Sequence, residues 1–410
     1  MAGFDFQAKD KMKIKLLKSQ VTMMIIVGLV LFILVGIVFY ISKSTVKKTT
    51  QQEVKTTQGT ALDTQPIKEF VSKCQDKLAK EAVTIIGKQG GYIYKSQGGD
   101  LIDYSGGDQG IFFIMHDGNK VAYNIKQPPI YSVAPFSSVP PDYPWISFPY
   151  KNAQSNDQAF DGIFGLSNMP PLNISQGPNS IQSQIESYID NKMESCADLS
   201  SFTNEGYEIS VNKSKTTVTI ASSDVRIKTS MPIKIVNKAA GEQTYIDTFS
   251  TTVNARLSDM YYFVKDIISK DVGNIKFNLD VGNDKNSFRI NALDNIFLKD
   301  DIVIITDDKS QISGKQFEYR FARRNRAPAL YYIRPGYLRL LEDTQITQDI
   351  LLSGLDLKAE DPDEDPITSS SFTISPPLPM TPDYPQRLSF RVEVTDGQLL
   401  DHQIITVDII

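Results

Sequence analysis

The sequence predicts an α+β ectodomain, with amphipathic helices on an antiparallel sheet, followed by an all-β sandwich and preceded by one N-terminal transmembrane helix. Three observations predict it. Residues 21–41 form an apolar run without a charge. Two segments with a helical apolar period, each holding one of the two cysteines, are followed by alternating strand-like segments. Residues 328–410 show short alternating segments between Pro- and Asp-rich turns.

The apolar run, Val21 to Ile41, has Thr22 as its only clearly polar side chain and Tyr40 at its outer edge. A helix rising about 1.5 Å per residue over that length spans about 30 Å, the thickness of the hydrocarbon core of a bilayer. Lys9, Lys11, Lys13, Lys15 and Lys18 precede it, against Lys43, Lys47 and Lys48 after it. That bias places residues 1–20 in the cytoplasm as a short tail and the rest outside the cell membrane. A cleaved signal peptide fits less well, because the run is too long and "FYISKSTVKK" offers no small-residue cleavage pattern. The words "LLKSQVTMM" resemble the cleavage zone of archaeal type IV pilins, which implies a filament subunit cut before Gln20. Met24 stands where those pilins usually carry Glu.

Residues 42–62 are polar and Thr-rich and read as a stalk. The α+β ectodomain is expected over residues 63–327. Ile67, Phe70, Val71, Cys74, Leu78, Ala82, Val83 and Ile86 keep a helical period; so do Ile181, Ile185, Tyr188, Ile189, Cys196 and Leu199. Each cysteine therefore lies on an apolar helix face, either in a disulfide, which an exterior location permits, or as two buried thiols. "GIFFIMHDGNKVAYNI" predicts a hairpin turning at Asp117-Gly118. The Pro- and aromatic-rich stretch around Trp145 is excluded from a central sheet. "YEISV", "TTVTIA", "RIKTSMPIKIV" and "TYIDTFSTTVNA" alternate as strands, "RLSDMYYFVKDIISKD" is a further helix, and three more strands follow.

The "KSQVT" entry into the apolar helix, the "CxxxLxxEAxxxIGKQGGYI" segment, "YIDNKMESC" and "EYRFARRNRAPAL" resemble a group of uncharacterised membrane-anchored surface proteins of small-genome archaea. The resemblance covers most of residues 15–330 and implies an envelope location without a known activity. In residues 328–410, the words at Ala359–Asp365 and Val394–Gly397 resemble cadherin-like and related immunoglobulin-like repeats of surface proteins. That resemblance implies a β-sandwich and a calcium site held by carboxylates of the two loops, at Glu360, Asp361, Asp363, Asp365 and Asp396. Calcium takes six to eight hard oxygen ligands at about 2.3–2.6 Å, so clustered carboxylates suit it; the alternative is a solvated acidic turn. The segment is no EF-hand, since Pro366 and Phe372 stand where Gly and the bidentate Glu are required.

The formal net charge is −5; residues 1–20 carry +3, which leaves −8 on residues 21–410. An acidic exterior argues against nucleic acid as a partner. Two distant cysteines and only two histidines make no zinc ligand set. No HExxH, GxSxG or P-loop motif occurs, and no catalytic residue is assigned. Paired carboxylates leave no spacing signature, so a surface hydrolase stays open as a second alternative. Asn173-Ile-Ser and Asn212-Lys-Ser permit N-glycosylation. The reading is a single-pass cell-surface protein, not an enzyme, that binds a protein or glycan in adhesion or supports the envelope. A homo-oligomer is compatible with it, and calcium is the one cofactor implied.

Overall fold

The computed structural model describes residues 63–103, 113–128, 148, 150–151, 158–159, 163–177, 179–279, 287–334 and 336–410. The apolar run 21–41, the stalk 42–62 and Trp145 lie outside them. Among the described residues no helix is long and apolar enough to cross a membrane.

Helix α1 (Gln65–Lys88) has Pro66 in its first turn, where a missing N–H costs nothing, and buries Ile67, Val71, Cys74, Leu78, Ala82, Val83 and Ile86 on one face. A hairpin follows, β1 (Phe113–His116) and β2 (Asn119–Lys126). Asp117 and Gly118 both take positive φ at its turn, which matches the twist of the paired strands. Three two-residue strands come next: β3 (Tyr150–Lys151), β4 (Gln158–Ala159) and β5 (Leu166–Ser167). Ser180 caps α2 (Ile181–Cys196), its hydroxyl accepting from the Ser183 N–H. The short α3 (Ser200–Asn204) leads into β6 (Tyr207–Val211), β7 (Lys215–Ile220), β8 (Val225–Asn237) and β9 (Gln243–Val253). These four form an antiparallel sheet in which β8 pairs with β6 and β7 along one side and with β9 along the other.

Helix α4 (Leu257–Gly273) is followed by β10 (Phe288–Phe297), β11 (Asp300–Ile312) and β12 (Lys315–Arg323). These strands join the first hairpin in the order β1-β2-β12-β11-β10, with β5 added to β2. Here the antiparallel expectation needs correction, because β12 pairs parallel with β2. No tight turn joins these two strands. The chain between them passes through helices and the other sheet, so nothing local imposes an antiparallel direction. The apolar faces of α1, α2 and α4 meet both sheets in one core running from Ile67 to Phe321. Gly87 lets α1 lie against β12: a Cβ there would stand 2.3 Å from Glu318 O.

Cys74 and Cys196 are joined in a disulfide, with Cα atoms 5.9 Å apart, tying α1 to the last residue of α2.

The carboxyl-terminal region contains β13 (Ala329–Leu330), β14 (Leu338–Leu340), α5 (Gln348–Gly354), β15 (Ala359–Glu360), β16 (Phe372–Ser375), β17 (Gln386–Thr395) and β18 (Leu400–Ile409). It is largely β, with a four-stranded sheet β14-β18-β17-β16 and the separate pair β13-β15. Two features depart from an all-β antiparallel layout. β14 runs parallel to β18, and α5 packs Leu351 into the core after a Thr347 cap on Ile350 N. This second core includes Leu330, Leu351, Phe390, Val392 and Val407 and shares no buried residue with the first.

Candidate metal centre

The two cores meet through charge and through a small apolar cluster of Phe148, Phe164, Ile275 and Ala329 with Tyr331 packed on it. Arg323, at the end of β12, and Arg326, three residues on, are buried, as are Asp271 of α4, Asp301 of β11 and Asp363 in the loop after β15. Arg326 is fully buried, and Asp363 accepts from its backbone N–H (2.6 Å), Nε (3.1 Å) and Nη2 (2.8 Å). Its Nη2 also donates to Pro362 O at 2.8 Å and its Nη1 to Phe164 O at 3.1 Å. Nη1 stands 2.8 Å from Asp271 Oδ1 as an ion pair, although that oxygen accepts no hydrogen bond of good angle. Arg323 reaches Asp301 Oδ2 (2.7 Å), Asp271 Oδ2 (3.2 Å) and Asp363 O (3.1 Å). Burial works against charge on Arg323, but Asp363, Asp271 and Asp301 outweigh it and hold the guanidinium more firmly protonated than usual.

This network decides which acids of the loop remain for a cation. Asp363 is spent on the arginines. Glu360 is engaged by other partners, accepting from Tyr331 Oη at 2.9 Å and lying 3.0 Å from Lys276 Nζ. The other three sequence-predicted residues converge: ligand oxygens of Asp361, Asp365 and Asp396 all lie within 4.8 Å of one another. Their loops are shaped by their own carboxylates. Asp361 Oδ1 accepts from the N–H groups of Asp363 (2.8 Å) and Asp365 (3.1 Å), while Asp396 Oδ1 accepts from those of Gln398 (2.6 Å) and Leu399 (2.7 Å). These bonds occupy Oδ1 of Asp361 and of Asp396 and leave each Oδ2 outside the turn it belongs to.

Asp361 is 8% exposed, yet its Oδ2 is buried without a hydrogen-bond partner, and so is Oδ2 of Asp365. Buried acceptors without donors are costly and call for a compensating group. Lys299 supplies part of it, with Nζ 3.1 Å from Asp365 Oδ1. Asn325, 1% exposed, adds a residue that sequence reasoning did not pick out. Its Nδ2 donates to Asp396 Oδ2 at 2.8 Å, and its Oδ1 is a further buried acceptor without a partner. The quoted "RNRAP" contains it, but only the fold shows that it meets the Asp396 loop. A cleft of about 390 Å³ lined by Lys276, Glu360, Asp361, Glu364 and Asp365 lies beside the cluster. An oxygen-only set with three carboxylates against one lysine is what a hard divalent cation takes.

Burial, and then the charges of Asp363 and Asp365, push the Asp361 carboxyl up to about 8. Burial pushes Asp401 up to about 7, against the N–H groups of Leu330 and His402 that it accepts. Both folded pKa values exceed the unfolded one, so the folded chain binds these protons more tightly and loses stability as pH rises from about 4 toward 8. The melting temperature in chelator is therefore expected to fall between about pH 5 and pH 8. A flat or rising profile would contradict it.

Of the two glycosylation sequons, Asn212 is exposed between β6 and β7, whereas Asn173 is half-buried and caps the 3-10 turn Ile174–Gln176. No protein-family model matches the chain, and no curated protein sequence does.

Proposed function

We propose that the protein is a single-pass cell-envelope protein that presents a largely β module for binding or adhesion, with calcium setting the seam between that module and the α+β layer. The observation that carries this reading is the convergence of Asp361, Asp365 and Asp396, with orphaned oxygens on two of them, beside the buried Arg323–Arg326 network. A seam so built holds the module in one orientation, which suits a spacer carrying a contact face. The disulfide fits an oxidising exterior. The uncharged run 21–41 supplies the anchor.

Calcium is expected to raise the melting temperature of the full-length protein. An extracellular-type site has a Kd of about 0.1–1 mM, and calcium at about 100 times Kd stabilises by about 2.7 kcal/mol. Asp361→Asn should abolish the shift, and Lys299→Met should lower the calcium needed, by removing the resident cation from Asp365. No shift with calcium, or an equal shift in Asp361→Asn, would sink the calcium reading. The intact mass of protein from native membranes tests the anchor. A chain starting at Met1 or Ala2 supports it, and one starting at Gln20 transfers the protein to the filament class.

A further inference from the structure

We propose that the groove along β15 docks an extended segment of a partner protein, one that carries an apolar residue and, two residues on, a lysine or arginine. This names a partner class for the binding role proposed above, and it rests on that role but not on calcium. β13 and β15 form a two-stranded pair, and among the described residues no strand lies along the other side of β15. Ala329 faces Glu360 and Leu330 faces Ala359, while the Tyr331 N–H donates to Lys358 O at 2.9 Å. Bonds between antiparallel strands come from alternate residues, so the N–H and C=O of Ala359 point away from β13. The N–H of Leu330, its opposite number, goes to Asp401 Oδ2 at 2.8 Å rather than to β15, as that alternation requires.

Two clefts along this side of β15 specify the occupant. The first, about 440 Å³, is walled by Tyr331, Leu352, Leu357, Ile367 and Phe372. Residues 357–360 all line it. Neighbouring side chains of a strand point to opposite faces, so a cleft that touches four in a row follows the edge of the strand rather than one face. The second, about 390 Å³, gathers Glu360, Asp361, Glu364 and Asp365 against Lys276. The two clefts share Ala359, Glu360 and Ile367, so one continues into the other. A peptide laid along β15 meets the N–H and C=O of Ala359 with its own. Its side chains two residues apart lie on one face, about 6.4–6.8 Å from each other, so an apolar one fills the first cleft while the next enters the second. Four acidic side chains facing one ammonium select a cation there and repel an anion. A neutral glycan brings no cation to that cleft.

The test uses the full-length protein in detergent and chelator with two fluorescently labelled seven-residue peptides. One alternates threonine with valine, leucine and lysine in that order; the other has glutamate in place of the lysine. By fluorescence anisotropy the lysine peptide should bind saturably with a Kd below about 1 mM. The glutamate peptide should bind at least about tenfold more weakly. Ala359→Pro should weaken the lysine peptide at least about tenfold, because it removes the outward N–H and sets a ring in the path of the peptide. Its melting temperature should match that of the parent, since the bonds to β13 come from the residues on either side. Should that variant fail to fold, the comparison of the two peptides decides. No saturable binding, equal binding of the two peptides, or parent-like binding by a folded Ala359→Pro variant would overturn the proposal. Binding is read without calcium and the seam is read from the calcium-dependent melting temperature, so the two fail separately.

Discussion

Replacing Arg326 by methionine is expected to destabilise the protein by about 3–5 kcal/mol, the cost of breaking a buried ion pair from one side. Methionine preserves much of the volume, so the loss is one of charge and hydrogen bonds. Asp271 and Asp363 stay buried, with Arg323 left to serve them and Asp301 together. Pro362 O and Phe164 O lose a donor at the same time. Lysine should rescue little, because one ammonium cannot reproduce the planar fork that meets Asp363 and Pro362 while also reaching Phe164. Adding Asp363→Asn to the methionine variant should recover part of the loss by removing one stranded charge. Denaturant unfolding followed by far-UV circular dichroism would measure this. A methionine variant as stable as the parent would show that the network is not what holds the seam.

Opening the Cys74–Cys196 bridge is the second large effect. The cysteines are 122 residues apart, and the chain-entropy model assigns a closed loop of that size about 4–5 kcal/mol. Cys74→Ala with Cys196→Ala should therefore melt well below the parent, and reductant should bring the parent down to the same level. The bridge joins the middle of α1 to the end of α2, so its loss frees two helices that pack on β9 and on β7. A parent indifferent to reductant would contradict this.

Much of this architecture was legible because it is periodic. Ile67, Val71, Leu78 and Ile86 announce α1, and the strict alternation along Val225–Asn237 announces β8. The cysteine pairing was partly legible, since each cysteine lies on an apolar helix face. The loop acids were legible as a group but not in their division of labour. Nothing near Asp363 in the sequence says that an arginine almost forty residues upstream will claim it, nor that Glu360 will turn to Lys276. Asn325 was hidden for the same reason, since its meeting with Asp396 depends on how two cores come together. The parallel pairs β2–β12 and β14–β18 have no local signal, because direction is set by the whole path of the chain.

The β14–β18 pair has a mechanical meaning. Leu338, Arg339 and Leu340 lie beside Val407, Asp408 and Ile409 in the same direction, and the run is closed by Ile410 N–H on Leu340 O and Glu342 N–H on Ile410 O. Tension pulling β18 forward while the start of β14 is held back slides the two strands along one another. Their hydrogen bonds are then loaded together in shear, whereas a hairpin pulled open at its ends gives way one rung at a time. The four-stranded sheet would resist force most along that axis, and yield most readily when peeled from the side of β16.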